Sequence, residues 1–93
     1  MSSDLILAAT SLDPLERRIA IRRLGEARSP DGVQALLFAI GTADSETADL
    51  AVEALVRIGR PAQNAVSAAL DREVDDAVRV RLADALMRLQ EGD

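Results

Sequence analysis

Arg17, Arg18, Arg22 and Arg23 follow one another at helical spacing, and Arg28 lies just beyond them. Guanidinium groups this dense offer one chemistry above others, the neutralisation of phosphates, so Arg17, Arg18, Arg22 and Arg23 are a candidate anion contact. The same stretch carries Asp13, Glu16 and Glu26, and Glu/Arg pairs at helical spacing are worth only about 0.2–0.5 kcal/mol each. A formal net charge of −5 opposes general attraction to polyanions. The expectation is therefore a solvated, ion-paired face, with nucleic-acid binding through the Arg-rich helix 13–28 as the alternative. Asp75 and Asp76 are adjacent carboxylates of the kind that serve acid–base work. Side by side at a helix start, they are read as a cap and a dipole-favoured charge.

Other chemistry is thinly provided. His and Cys are absent, which removes the usual partner of a nucleophilic Ser, the usual zinc and copper ligands and any disulfide framework. The Ser residues fall mainly at helix starts or in loops, and the Gly residues are isolated, with no phosphate-cradling loop. No catalytic residue, metal or cofactor is expected, and the chain is read as a non-enzyme.

What remains is a helix-forming composition. Of 93 residues, 48% are hydrophobic, yet Phe38 is the single aromatic, Lys is absent, and Ala, Leu, Arg and Glu favour helix. The abundance of Arg, Ala and Asp points to a GC-rich, bacterial source. So short a chain buries only roughly 60–65% of its unfolded surface, so a regular architecture has to help it. The longest apolar run is far below the ~20 residues that span a membrane. Met1-Ser2-Ser3-Asp4 lacks the basic start of a signal peptide. The expected location is cytoplasmic, with no membrane partner.

The elements that carry these residues repeat with a period of 31. Asp13, Asp44 and Asp75 are in register, as are Leu24, Leu55 and Leu86. So are Ala20, Ala51 and Leu82; Ile21, Val52 and Ala83; and Ala27, Ile58 and Leu89. Apolar positions recurring at steps of three and four are the signature of a helix with one buried stripe. Each Asp precedes such a helix and can cap it. Pro14 occupies the first helical position, where proline is tolerated. Gly25 is read as thinning the end of the first helix, and Gly59 as a left-handed cap of the second.

Between these first-type helices lie second-type ones. Val33, Leu36, Leu37 and Ile40 form one apolar stripe, Val66 and Leu70 another, and Leu5, Ile6 and Ala9 repeat the motif at the N-terminus. The expected helices are 3–11, 13–27, 31–41, 44–58, 61–71 and 75–90. Their short connections require antiparallel neighbours. A single such hairpin cannot hide both stripes, but stacked hairpins can. The fold expected over 1–93 is a single all-α domain, a short α-solenoid of antiparallel helix pairs.

The run Asp13-Pro14-Leu15-Glu16-Arg17-Arg18-Ile19-Ala20-Ile21-Arg22-Arg23-Leu24-Gly25 leads into Ser29-Pro30-Asp31-Gly32-Val33-Gln34-Ala35-Leu36. Together they resemble the bacterial HEAT-like repeats of the phycobilisome-lyase type. Ala54-Leu55-Val56-Arg57-Ile58-Gly59 and Ala77-Val78-Arg79 with Ala85-Leu86 extend the resemblance over nearly the whole chain. It implies a fold and a scaffold role, not a particular task. The lyase activity in the family's name does not carry over, since no bilin pocket is visible. The resemblance also implies that Arg17 and Arg79 tie to a neighbouring loop carboxylate; Ala48 replaces that Arg in the middle unit. HEAT-like DNA glycosylases give the nucleic-acid alternative a precedent of fold, although their aromatic and acidic active-site residues are not found here.

Two surfaces are candidates for a partner protein. In such solenoids the second-type helices are expected to line the concave face. There Leu7, Phe38 and Ala68 form an apolar row beside polar Gln34 and Asn64, suited to a helix or peptide segment with an aromatic anchor. The last helix carries Val78, Val80, Leu82, Leu86 and Met87 and was expected to lack a partner helix of its own, a surface for self-association or docking. The function expected is a protein–protein interaction scaffold, adaptor or regulatory binding module.

Overall fold

The computed structural model of the chain describes residues 2–42 and 44–91; Met1, Ala43, Gly92 and Asp93 lie outside the described residues. The regular elements among them are helical: α1 (Ser2–Ala9), α2 (Pro14–Glu26), a 3₁₀ turn (Pro30–Gly32) running into α3 (Val33–Thr42), α4 (Ser45–Ile58), α5 (Arg60–Arg72) and α6 (Asp76–Glu91). The repeated aspartates start the first-type helices α2, α4 and α6. Asp13 Oδ1 accepts from the Leu15 N–H at 3.0 Å, Asp44 Oδ1 from Thr47 at 2.8 Å and Asp75 Oδ1 from Val78 at 3.1 Å. Each carboxylate satisfies a first-turn donor that the helix itself leaves unpaired.

Most helix ends fall within two residues of the expected bounds, and three of them carry local features of their own. α1 stops at Ala9 instead of residue 11. The N–H groups of Thr10 and Ser11 turn back onto Leu7 O and Ala8 O at 3.1 Å, and Thr10 Oγ1 donates to Leu7 O at 2.9 Å, so local side-chain bonding ends the helix. α2 closes with paired bonds from Arg28 N–H to Gly25 O and from Ser29 N–H to Leu24 O, 3.1 and 3.2 Å. Arg28 takes the left-handed position, φ 51°, that glycine usually fills in this motif. One repeat later Gly59 also has positive φ. At φ 84°, ψ −141° it is not the left-handed helical cap expected but an extended conformation essentially reserved for glycine, and α5 begins immediately after it.

Consecutive helices pack as α1/α2, α3/α4 and α5/α6, giving three complete pairs. α6 therefore has a partner in α5, which corrects the expectation of a lone terminal helix. The pairs stack so that α2, α4 and α6 form one layer and α1, α3 and α5 the other. Ile21, Leu24, Leu36, Leu55 and Val66 are fully buried, each worth roughly 1.5–3 kcal/mol relative to exposure.

The two layers are not equally spaced. α2 and α4 come close enough that a Cβ on Gly25 would lie 2.8 Å from the Ala54 Cα. α1, α3 and α5 touch one another much less. The closer-spaced layer is that of α2, α4 and α6. Leu7, Gln34, Phe38, Asn64 and Ala68 lie on the wider-spaced layer of α1, α3 and α5. The physical reason is side-chain size. Gly25, Ala51, Ala54 and Ala85 let the first-type helices approach, whereas Leu36, Leu37, Ile40 and Val66 hold the second-type helices apart.

Candidate protein-binding surfaces

The layer of α2, α4 and α6 is organised by Thr47, one turn into α4. Its side chain is fully buried. Its N–H bonds Asp44 Oδ1, while its Oγ1 accepts from Arg18 Nε at 3.0 Å. The Arg18 guanidinium spans onward to Asp44 Oδ2 at 3.3 Å and Glu46 Oε1 at 3.2 Å. The Thr47 backbone N–H above all, then its hydroxyl and the Arg18 charge, hold the Asp44 carboxyl below its ordinary value. An Arg of one repeat is thus fixed by the capping pair of the next. Arg17 and Arg18 pair across the seam, with Asp44 and Glu46 where Asp13, Glu16 and Glu26 were the expected partners.

Further ion pairs descend the seam between α4 and α6. Arg81 Nε lies 3.2 Å from Asp49 Oδ1, and Arg88 Nη2 lies 2.8 Å from Glu53 Oε2. Hydrogen bonding to Glu53 raises the Arg88 pKa further and keeps it charged. Such exposed pairs contribute only about 0–1 kcal/mol each. They do fix the positions of the side chains around them.

Between α2 and α4 this face opens into a depression of about 760 Å³ lined by Leu15, Ile19, Arg22, Arg23, Leu50 and Glu53 among others; a second, of about 740 Å³, lies between α4 and α6. Leu15 is 67% and Ile19 47% exposed. The first depression therefore has an apolar strip, with Arg18, Arg22, Arg23 and Glu26 on the α2 side and Glu46, Asp49 and Glu53 on the α4 side. Ile19, Leu50 and the α4 acids were not singled out by sequence reasoning. The available signal was that Ile19, in the same register as Leu50 and Arg81, is apolar on a helix whose buried stripe does not require it.

The residues expected to bind a partner divide. Leu7 (71% exposed) and Phe38 (56%) stand at equivalent positions of α1 and α3, with Gln34, Asn64 and Ala68 also exposed, all on the layer of α1, α3 and α5. On α6, Val80 and Met87 are exposed, but Val78 and Leu86 are half-buried against the core and Leu82 is buried. Leu82 is thus removed from the expected docking surface, because it is packed into the hydrophobic core. Among the candidate anion contacts, Arg18 is bound as described. Arg17 Nη1 donates to Ser11 O at 3.1 Å and Nη2 lies 3.9 Å from Asp44 Oδ2. Its Nε is buried without a hydrogen-bond partner. Arg22 and Arg23 are exposed.

Arg17 and Arg79 hold equivalent positions and do equivalent work, with a change from expectation. Arg79 Nη1 donates to Leu70 O and Glu73 O, both at 2.9 Å, so it caps the C-terminal carbonyls of α5. Both arginines tie the preceding connection through backbone carbonyls; the loop carboxylate expected from the resemblance enters only as the longer Arg17–Asp44 contact.

Among the described residues, no cluster of acidic residues is placed to hold a metal ion, and no helix is long and apolar enough to cross a membrane. No curated protein matches the chain. The family model of HEAT repeats matches residues 2–87. The caps, the 31-residue register and the stacked helix pairs agree with that match, and the chain belongs to the HEAT-repeat family.

Proposed function

We propose that this protein is a non-enzymatic scaffold that holds a helical or extended segment of another protein along the layer of α2, α4 and α6. HEAT repeats generally serve as protein-interaction scaffolds. The observation that carries the reading here is the depression between α2 and α4, with exposed Leu15 and Ile19 between a basic and an acidic wall. An amphipathic segment laid there would bury an apolar edge and set its charges against both walls. The repeats supply the rigid backing and the surface side chains the selectivity.

The row of Leu7, Phe38 and Ala68 supports a second reading, because the sole aromatic is more than half exposed. A nucleic-acid role is weakened by the engagement of Arg17 and Arg18 within the protein. One experiment separates these readings: affinity capture from the native cell with wild-type protein, a Glu46→Lys/Asp49→Lys variant and a Phe38→Asp variant. Loss of a specific protein from the double variant alone is the expected result. Loss from Phe38→Asp alone moves the site to the layer of α1, α3 and α5. Retention of labelled DNA at physiological salt, with no protein captured, would overturn both protein-binding readings.

A further inference from the structure

In each internal seam, one face of a first-type helix meets the next repeat. On α2 that face contains Arg18, Ile21 and Gly25; Ile21 and Gly25 are buried against α4. On α4 the same register holds Asp49, Val52 and Val56; Val52 is buried and Asp49 pairs with Arg81. On α6 the register holds Val80, Ala83 and Met87. Among the described residues nothing stacks on them, and Val80 is 68% and Met87 53% exposed.

The opposite end is complementary. In the second repeat Leu36, Ala39, Thr47 and Ala51 are buried where they face the first. Their counterparts in the first repeat, Leu5, Ala8, Glu16 and Ala20, line an open and mainly apolar hollow of about 290 Å³, together with Leu15 and Ile19. Both ends of the stack thus expose apolar surface that the same fold buries at its two internal seams.

We propose that a second copy of this chain stacks head to tail, the α6 face of one molecule entering the α1–α2 hollow of the next. The occupant follows from the fit, since these two kinds of face already mate twice within the molecule. The side chains that change at the new seam change together. Arg18–Glu46 and Asp49–Arg81, the ion pairs of the internal seams, become Val80 against Leu15 and Val80 against Ile19, so charge meets charge inside and apolar meets apolar between copies. Asp84 takes the place of Arg22, and Arg22 that of Glu53, an opposite-charge juxtaposition with its direction reversed. One mismatch falls at the rim, where Asp84 and Glu26 replace the Glu53–Arg88 pair. The contact is heterologous and does not close, so association yields linear stacks and not a symmetric dimer. The stacking surface shares Leu15 and Ile19 with the groove, but Glu46→Lys/Asp49→Lys leaves both of them and Val80 in place. Loss of partner capture in that variant and loss of stacking in Val80→Glu are therefore distinguishable outcomes.

The test is light scattering over rising concentration on the wild-type protein, Val80→Glu and Leu15→Glu. Both substituted positions are exposed, and circular dichroism melts verify that each variant folds. Wild type is expected to rise in mass beyond a dimer, while each variant alone stays monomeric. An equimolar mixture of the two variants retains one intact pair of faces and is expected to form a 1:1 dimer that grows no further. A monomeric wild type at millimolar concentration overturns the proposal. So does a Leu15→Glu variant that associates like wild type, which indicates a symmetric α6-to-α6 contact, and so does a mixture that stays monomeric.

Discussion

The α2–α4 seam and the α4–α6 seam use the same repeat positions but differ in tightness. In the first, Gly25 brings α2 against the Ala54 backbone, and Arg18 reaches Thr47, Asp44 and Glu46. In the second, Val56 stands at the Gly25 position, Asp49 at the Arg18 position makes one ion pair with Arg81, and the two helices touch less. α4 accordingly buries seven residues and α6 three, which makes α4 the centre of stability and α6 the more weakly held edge. Equivalent repeats therefore need not be equally stable, because each seam depends on the residue pairs that meet across it.

The comparison is broken most directly at the leucine register. Leu55→Ala is expected to cost about 3–4 kcal/mol, as large-to-small changes in a packed core do. Leu86→Ala, half-buried in the same register, is expected to cost about half as much. Equal shifts of the urea midpoint would show that the two seams are equally tight. Next comes Gly25→Val, which places a branched side chain against the Ala54 backbone and is expected to cost about 2–3 kcal/mol. Val56→Leu in the wider seam is expected to stay below about 1 kcal/mol by the same measurement.

Thr47→Val keeps the volume and removes the hydroxyl that receives Arg18, and is expected to cost about 1–2 kcal/mol. Asp49→Asn, breaking an exposed pair, is expected to cost about 0.5 kcal/mol or less. Acid tests the same corner of the molecule. The Asp44 carboxyl is lowered from its ordinary 3.8 in the folded protein, first by the Thr47 N–H. Its contribution is therefore complete above that value and is lost as pH falls through the lower folded value. Thermal melts should show wild type losing stability below about pH 4 more steeply than Asp44→Asn. The smallest effect has the opposite sign. Arg28→Gly relieves a left-handed backbone at the end of α2 and is expected to stabilise by about 0.5–1 kcal/mol, raising the melting temperature by a few degrees.

The fold was legible in the sequence because its determinants are local and repeated. Asp13, Asp44 and Asp75 name the helix starts, Leu24, Leu55 and Leu86 name the buried stripe, and the 31-residue spacing requires stacking. The candidate surface was less legible. Arg18 reads equally well as a partner of Glu16-type neighbours or of a distant Thr47, since periodicity assigns a residue to a face but does not say what lies opposite. Leu82 carries the same apolar signal as Val80 two positions earlier, and only the packing of α6 against its neighbours decides that one is core and the other surface.

By itself, then, the sequence determined that the chain is helical, repetitive and poor in catalytic groups, since composition, caps and apolar period depend on neighbours within a few residues. The tertiary structure decided which layer is closely spaced, which arginines are committed and which apolar residues stay exposed. These depend on how closely Gly25 and the seam alanines let two helices approach, a distance that no single helix contains.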